Sequence, residues 1–190
     1  MTPNLKAYYD QKVAEALKSE FDLKNPHEIP AIEKVVINCH VGRYQADRKA
    51  AVEDAVAEIE KITGQKPSVV FAKKSVANFK VREGEAVGAR VTLRKSMMWE
   101  FLDRFINITA PNVRDFRGFS PKGFDGRGNF ALGIPDQSIF PEIEIDKIKR
   151  QLGFDLIIVT STNDNAQAKK LLDLLNFPFR ENKKETEAAA

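Results

Sequence analysis

The chain holds one cysteine and two histidines among 190 residues, and these scarcities close off several functions. A lone thiol, Cys39, builds no internal disulfide framework and suits a reducing compartment. No apolar run approaches the roughly 18 residues of a membrane span. The opening residues, MTPNLKAYYDQK, lack the apolar core of a secretory signal, so cytoplasm is the expected location. Internal repeats are missing, as is any linker long enough to separate domains. Residues 1–180 therefore read as one domain, and 181–190 as a polar, frayed tail.

What is present is an ordinary globular balance, 43% hydrophobic and 30% charged, with an uneven spread of charge. Residues 1–71 carry 10 cations against 11 acids, and residues 131–190 carry 8 against 10. Residues 72–130 carry 12 against 6. The net charge of +3 thus comes from the middle third. A basic stripe on a nearly neutral scaffold is the footprint of a polyanion partner.

Period and punctuation divide the chain. Leu5, Tyr9, Val13, Leu17 and Phe21 recur every four residues and predict a helix, stopped by Asn25-Pro26 and Pro30. Val35, Ile37 and Cys39 alternate with Lys34, Val36 and Asn38, predicting a strand over 33–39. Ala51, Val52, Ala55, Val56, Ile59 and Ile62 line a second helix, with Gly64 at its C-terminal cap. Val69 and Phe71 begin another strand, and Glu83-Gly84-Glu85 breaks the chain. In AVGARVTLRK, Val87, Ala89, Val91 and Leu93 point one way, and Gly88, Arg90, Thr92 and Arg94 the other. Ser96 is a candidate cap for a third helix burying Met98, Phe101, Leu102, Phe105 and Ile106. Residues 112–130 combine four glycines and four phenylalanines without any period, and loops of this length are usually functional or disordered. Phe154, Leu156 and Ile158 mark a last strand; Asp164 opens a helix with Ala168, Leu171, Leu172 and Leu175 inward. This pattern predicts an α+β two-layer sandwich, largely antiparallel, with helices on one face and the other face open.

No catalytic constellation emerges. Cys39 and His40 are adjacent on a strand and point to opposite faces, so they form no dyad. His27 lies in the proline-bounded connector. Gly123, Gly126 and Gly128 resemble a phosphate cradle, yet no lysine-bearing helix follows them. Glu142, Glu144 and Asp146 read as the solvent side of a strand edge opposite Ile143 and Ile145. Without histidines nearby they assemble no zinc or two-metal site. The expected cofactor and metal content is none, with no small-molecule substrate. Nucleic-acid binding fits better: Gln65 to Lys95 supplies cations and short polar groups. The loop phenylalanines suit either base stacking or a satellite core.

Six stretches then become specific: ITGQKP, AKKSVANFKVREG, VTLR, EFLDR, RDFRGFSPKGFDGRGNF and IFPEI. In this order, with VVIN and FDLIIVT, the chain resembles the bacterial large-subunit ribosomal L-five family from about residue 5 to Arg180. The resemblance implies an open sheet face that binds 5S rRNA. Asn38, Gln65 and Thr92 would be its polar contacts and Arg94 a phosphate partner, beside the independently read Arg90. It implies a loop facing P-site tRNA, here Lys73, Lys74, Ser75, Asn78, Lys80 and Arg82. It also implies a bridge loop, with Arg114, Asp115, Phe116 and Arg117, to the small-subunit head protein S-thirteen. The family sits beside the 23S rRNA in the central protuberance. Two positions depart from the family pattern. His40 and Asn78 stand where glycine is common, and asparagine tolerates positive φ nearly as well as any non-glycine residue, so Asn78 need not distort the loop. Val76, Phe79 and Val81 are expected to stiffen the tRNA-facing loop at its base.

Overall fold

Alternating burial sets the frame of the structure, a computed structural model that describes residues 3–44, 46–113 and 116–180. β1 (Ile32–His40) buries Ile32, Val35, Ile37 and Cys39 while Val36, Asn38 and His40 face away. β3 (Ala86–Leu93) buries Ala89, Val91 and Leu93, and β5 (Phe154–Thr160) buries Phe154, Leu156 and Ile158. With β2 (Ser68–Phe71) and β4 (Phe130–Ile134) they form one sheet in the order β2-β3-β1-β5-β4. Every pairing is antiparallel. One face of β1, β3, β4 and β5 buries its side chains while β2 stays largely exposed at the edge, and the predicted two-layer α+β sandwich with one open face is what the chain forms.

The helices lie on the inner face. The N-terminal rod joins α1 (Asn4–Tyr8), a π-helical turn (Tyr9–Val13) and α2 (Ala14–Glu20). Its apolar stripe repeats every four residues, which drifts by about 40° per repeat around an ideal α-helix. A wider π turn absorbs that drift and keeps Leu5, Tyr9, Val13 and Leu17 buried together. α3 (Arg48–Thr63) packs on β3 and ends at Gly64, whose φ of 70° needs no Cβ. α4 (Lys95–Arg104) lies against β1 and runs into a second π segment (Phe105–Thr109). α5 (Asn165–Leu174) starts at Asp164, whose carboxylate accepts the Ala166 N–H at 3.0 Å.

Two expectations change. Ser96 is not a cap: only Arg94 separates β3 from α4, and Lys95, at φ 52°, makes the reversal. Residues 141–147 are turns with a 3₁₀ turn (Ile145–Lys147), not a strand edge. Ile143 is buried and Ile145 is 69% exposed, while Glu142 pairs with Arg104 and Glu144 with Lys147 at 2.7 Å. These local ion pairs suit a turn that places the acids on separate partners.

The alternative left open for the 112–130 phenylalanines is decided for Phe119, Phe124 and Phe130, which join the core. Phe130 and Phe105 are buried, and Phe119 and Phe124 pack on them with Phe177 and Phe179. Ring centroids lie 4.9 Å apart for Phe124–Phe130, 5.5 Å for Phe119–Phe177 and 5.2 Å for Phe130–Phe179. Backbone bonds fasten the loop to the far end of the chain: Phe119 N–H to Pro178 O at 2.8 Å and Arg180 N–H to Phe119 O at 2.9 Å. The satellite-core alternative is therefore the one realised.

Candidate nucleic-acid interface

Strand register gathers the outward residues into rows. Arg90 pairs with Asn38 across β3 and β1, and Asn38 with Asp155 across β1 and β5. Ser68 extends this row onto β2 opposite Arg90, and Gly133 extends it onto β4 opposite Asp155. The row Ser68–Arg90–Asn38–Asp155–Gly133 therefore crosses all five strands on the open face. Beside it runs Thr92–Val36–Ile157–Ala131. Thr92 is half-buried, Arg90 and Arg94 are exposed, and Gln65 donates from Nε2 to Thr92 O at 3.4 Å. Asn38, Gln65, Arg90, Thr92 and Arg94 are thus brought to one surface. That surface is flat, mixed in polarity, and made of short side chains with cations on one flank.

His40 closes β1 opposite Gly88, so the strand runs unbroken past Asn38. At that end a cavity of about 540 Å³ opens, lined by His40, Arg43, Tyr44, Gly133 and Asp155 among others. Tyr44 Oη donates to Gln151 O at 2.7 Å along its wall. Cys39 points inward, and burial above all, then Glu58 and Asp155, pushes its thiol up to about 12. It is a packed hydrophobe rather than a nucleophile.

The basic loop between β2 and β3 is a folded arm. Ala72 N–H donates to Glu85 O at 2.8 Å, and Val76 and Val81 exchange backbone bonds of 2.9 and 3.2 Å. A 3₁₀ turn (Ala77–Phe79) makes the tip, and Lys80 takes the left-handed conformation at φ 50°. The positive φ thus falls on Lys80, not Asn78, because the 3₁₀ turn holds Asn78 in its middle. Ser75 Oγ accepts the Glu83 N–H at 2.9 Å and so braces the loop. Val76 and Val81 form the bridge as expected. Phe79 does not stiffen the base: it stands 67% exposed near the tip. Lys73, Lys74, Lys80 and Arg82 are exposed, and none makes an ion pair within 4.0 Å among the described residues.

The glycine-rich turn is already occupied by the protein itself. Asp125 accepts the N–H groups of Arg127 and Asn129 and the Asn129 side-chain amide, at 2.7, 3.1 and 2.7 Å. These bonds, the Asn129 side chain first, hold its carboxyl below the usual range. Gly128 N–H goes to Asn165 Oδ1 at 2.9 Å. Amides engaged in this way do not cradle a phosphate.

Comparison with known proteins decides the family. The family model described as "Ribosomal protein L5" matches residues 25–82, and that described as "ribosomal L5P family C-terminus" matches 86–179. The "Large ribosomal subunit protein uL5" of Rubrobacter xylanophilus is 52% identical over 178 residues, 94% of this chain and 98% of its own length. Those of Clostridium acetobutylicum and Clostridium botulinum are each 51% identical over 179 residues, 94% of this chain and 99% of their own. The chain belongs to the uL5 family. It is a structural constituent of the large ribosomal subunit, a cytoplasmic and non-enzymatic role.

Two features of this uL5 chain escaped the sequence. Asp155 and Ser68 join the polar row through register, which sequence alone does not state. The alternation of FDLIIVT could have placed Asp155 outward. Arg48, only 3% exposed, reaches from α3 into the basic loop. It donates to Lys80 O at 3.2 Å and Phe79 O at 3.4 Å, and pairs with Glu85 at 2.6 Å. No period distinguishes it from an exposed arginine at a helix start. Of the residues expected to form a bridge loop, Phe116 packs on Phe119 at 5.1 Å and Arg117 is exposed. Arg114 and Asp115 lie outside the described residues.

Proposed function

We propose that the helix-free face binds 5S rRNA through Asn38, Gln65, Arg90, Thr92 and Arg94. In this role the protein helps attach that RNA to the large subunit beside the 23S rRNA in the central protuberance. The observation that carries this reading is the polar row crossing all five strands. A-form RNA offers a wide, shallow minor groove of 2′-hydroxyls and base edges. A flat sheet with short donors and acceptors fits that groove, and Arg94 at the flank suits a phosphate. Residues 1–180 act as one unit in this proposal, with 181–190 outside it.

The arm over 72–84 is proposed to face P-site tRNA through Lys73, Lys74, Ser75, Asn78, Lys80 and Arg82. Its support is the set of exposed cations that make no ion pair among the described residues. The 112–130 loop, including Arg114, Asp115, Phe116 and Arg117, is proposed to meet the head protein S-thirteen. Its support is the family membership and the way the aromatic cluster fixes the loop's root. No cofactor, metal, membrane or small-molecule substrate enters this function.

Filter binding of the full chain to isolated 5S rRNA tests the sheet face. Thr92→Ala and Arg94→Ala are each expected to weaken binding by about 5- to 50-fold. Arg94→Ala should also reduce the slope of log K against log salt by about one. Unchanged affinity in both variants would move the binding face elsewhere.

A further inference from the structure

Phe79 has the most exposed aromatic ring among the described residues. Single exposed hydrophobes are ordinary, but this one stands on backbone that the protein takes care to fix. Arg48 rises from α3, buried, and holds the carbonyls of Phe79 and Lys80 while its charge is met by Glu85. Glu85 in turn accepts the Arg82 N–H at 3.0 Å, the bond that chiefly lowers its pKa, with Arg48 adding to it. The Val76–Val81 bridge closes the neck below, and the left-handed Lys80 turns the chain back. Fixing these carbonyls leaves Phe79 exposed on an arm that also carries the exposed Lys73, Lys74 and Lys80.

We infer that Phe79 is the stacking platform of this arm and Arg48 its positioning residue. The ring takes one face of an unpaired base while the lysines hold the adjoining phosphates. Every base has a π face, so a rigid exposed phenyl ring among cations suits single-stranded or loop nucleotides. A protein groove is a poorer occupant, because the same surface would bury three ammonium groups without partners. Arg48 lowers the ordering cost of the contact by holding the tip in its bound shape beforehand. The inference rests on the tRNA-facing reading of the arm, and adds a base contact where that reading had only charge.

The test uses ribosomes whose large subunits carry the full-length variant, with deacylated tRNA as the P-site probe. Binding of the free protein to 5S rRNA is measured in parallel. Phe79→Ala and Phe79→Leu are expected to weaken tRNA retention about 5- to 50-fold, and Phe79→Trp to preserve it. All three should leave 5S affinity unchanged. Arg48→Met should weaken retention in the same direction and speed hydrogen exchange at the Val76 and Val81 amides. Glu85→Gln, which keeps the fold less in question, should do so more mildly. Full retention with Phe79→Ala, alongside loss when Lys73, Lys74 and Lys80 become alanine, overturns stacking and keeps the tRNA-facing arm. Full retention in both overturns the tRNA reading itself. Leucine performing as well as phenylalanine, or lost 5S binding with Phe79→Ala, also defeats the inference.

Discussion

Residues 72–84 and 112–130 have similar compositions, cations interleaved with phenylalanine, but opposite fates. The first turns Phe79 into solvent; the second turns Phe119, Phe124 and Phe130 inward against Phe177 and Phe179. The number of cations does not separate them, four in each. Available partners do: the second loop meets the aromatic segment after α5, laced to it by backbone bonds, whereas the first meets a buried arginine that binds its carbonyls. Aromatic residues among cations therefore signal RNA contact only where no second apolar segment returns to cover them.

The sharpest way to break this contrast is truncation on each side. Phe130→Ala should destabilise the protein by about 3–5 kcal/mol in chemical denaturation, because it empties the centre of the cluster. Phe79→Ala should stay within about 0.5 kcal/mol of the parent. Comparable losses would mean that Phe79 supports the fold.

Buried charge offers a second contrast. Arg48 beneath the first loop leaves its Nε without a hydrogen bond but has its charge paired with Glu85, whereas Glu58, under the segment after the second loop, has a buried Oε2 without a hydrogen bond and no ion pair within 4.0 Å among the described residues. Burial, then the neighbouring Asp54, pushes its carboxyl from 4.5 up to about 7. A carboxyl raised on folding favours the native state fully below pH 4.5, and that contribution is lost as pH rises through 7. Glu58→Gln should match the parent near pH 5 and exceed it at pH 8 by on the order of 1–2 kcal/mol. A difference that stays flat across that window would clear Glu58.

The smallest effect separates the two loops' turns. The second uses glycine at each of its left-handed positions, Gly118, Gly126 and Gly128; the first uses Gly84 at its end and Lys80 at its tip. Lys80→Gly relieves that steric cost but frees the unfolded chain, so a net change below about 1 kcal/mol is expected in thermal melts. A loss well above that would mean that the Lys80 side chain itself holds the arm.

Much of this was legible beforehand wherever burial imposes a period. The stripes of β1, β3, β5, α3 and α5 came through because one wet and one dry face leave their spacing in the residues. The Arg90, Thr92 and Arg94 side of β3 was readable for that reason. The Asn38–Asp155 neighbourhood was not, because register joins strands more than a hundred positions apart. Ser96 misled because a cap residue looks the same one position inside a helix, and only the φ at Lys95 decides. Glu142 and Glu144 misled because their partners, Arg104 and Lys147, turn an alternating pattern into a bend.

The polar row draws its members from positions 38, 68, 90, 133 and 155. β1, the earliest strand made, lies at the centre and waits for β3 on one side and β5 on the other. A polypeptide halted before Phe154 leaves that central strand with a bare edge and presents only part of the platform. On the proposed reading of this face, the topology ties recognition to completion of synthesis: only a chain whose last strand has been made presents the row across all five strands.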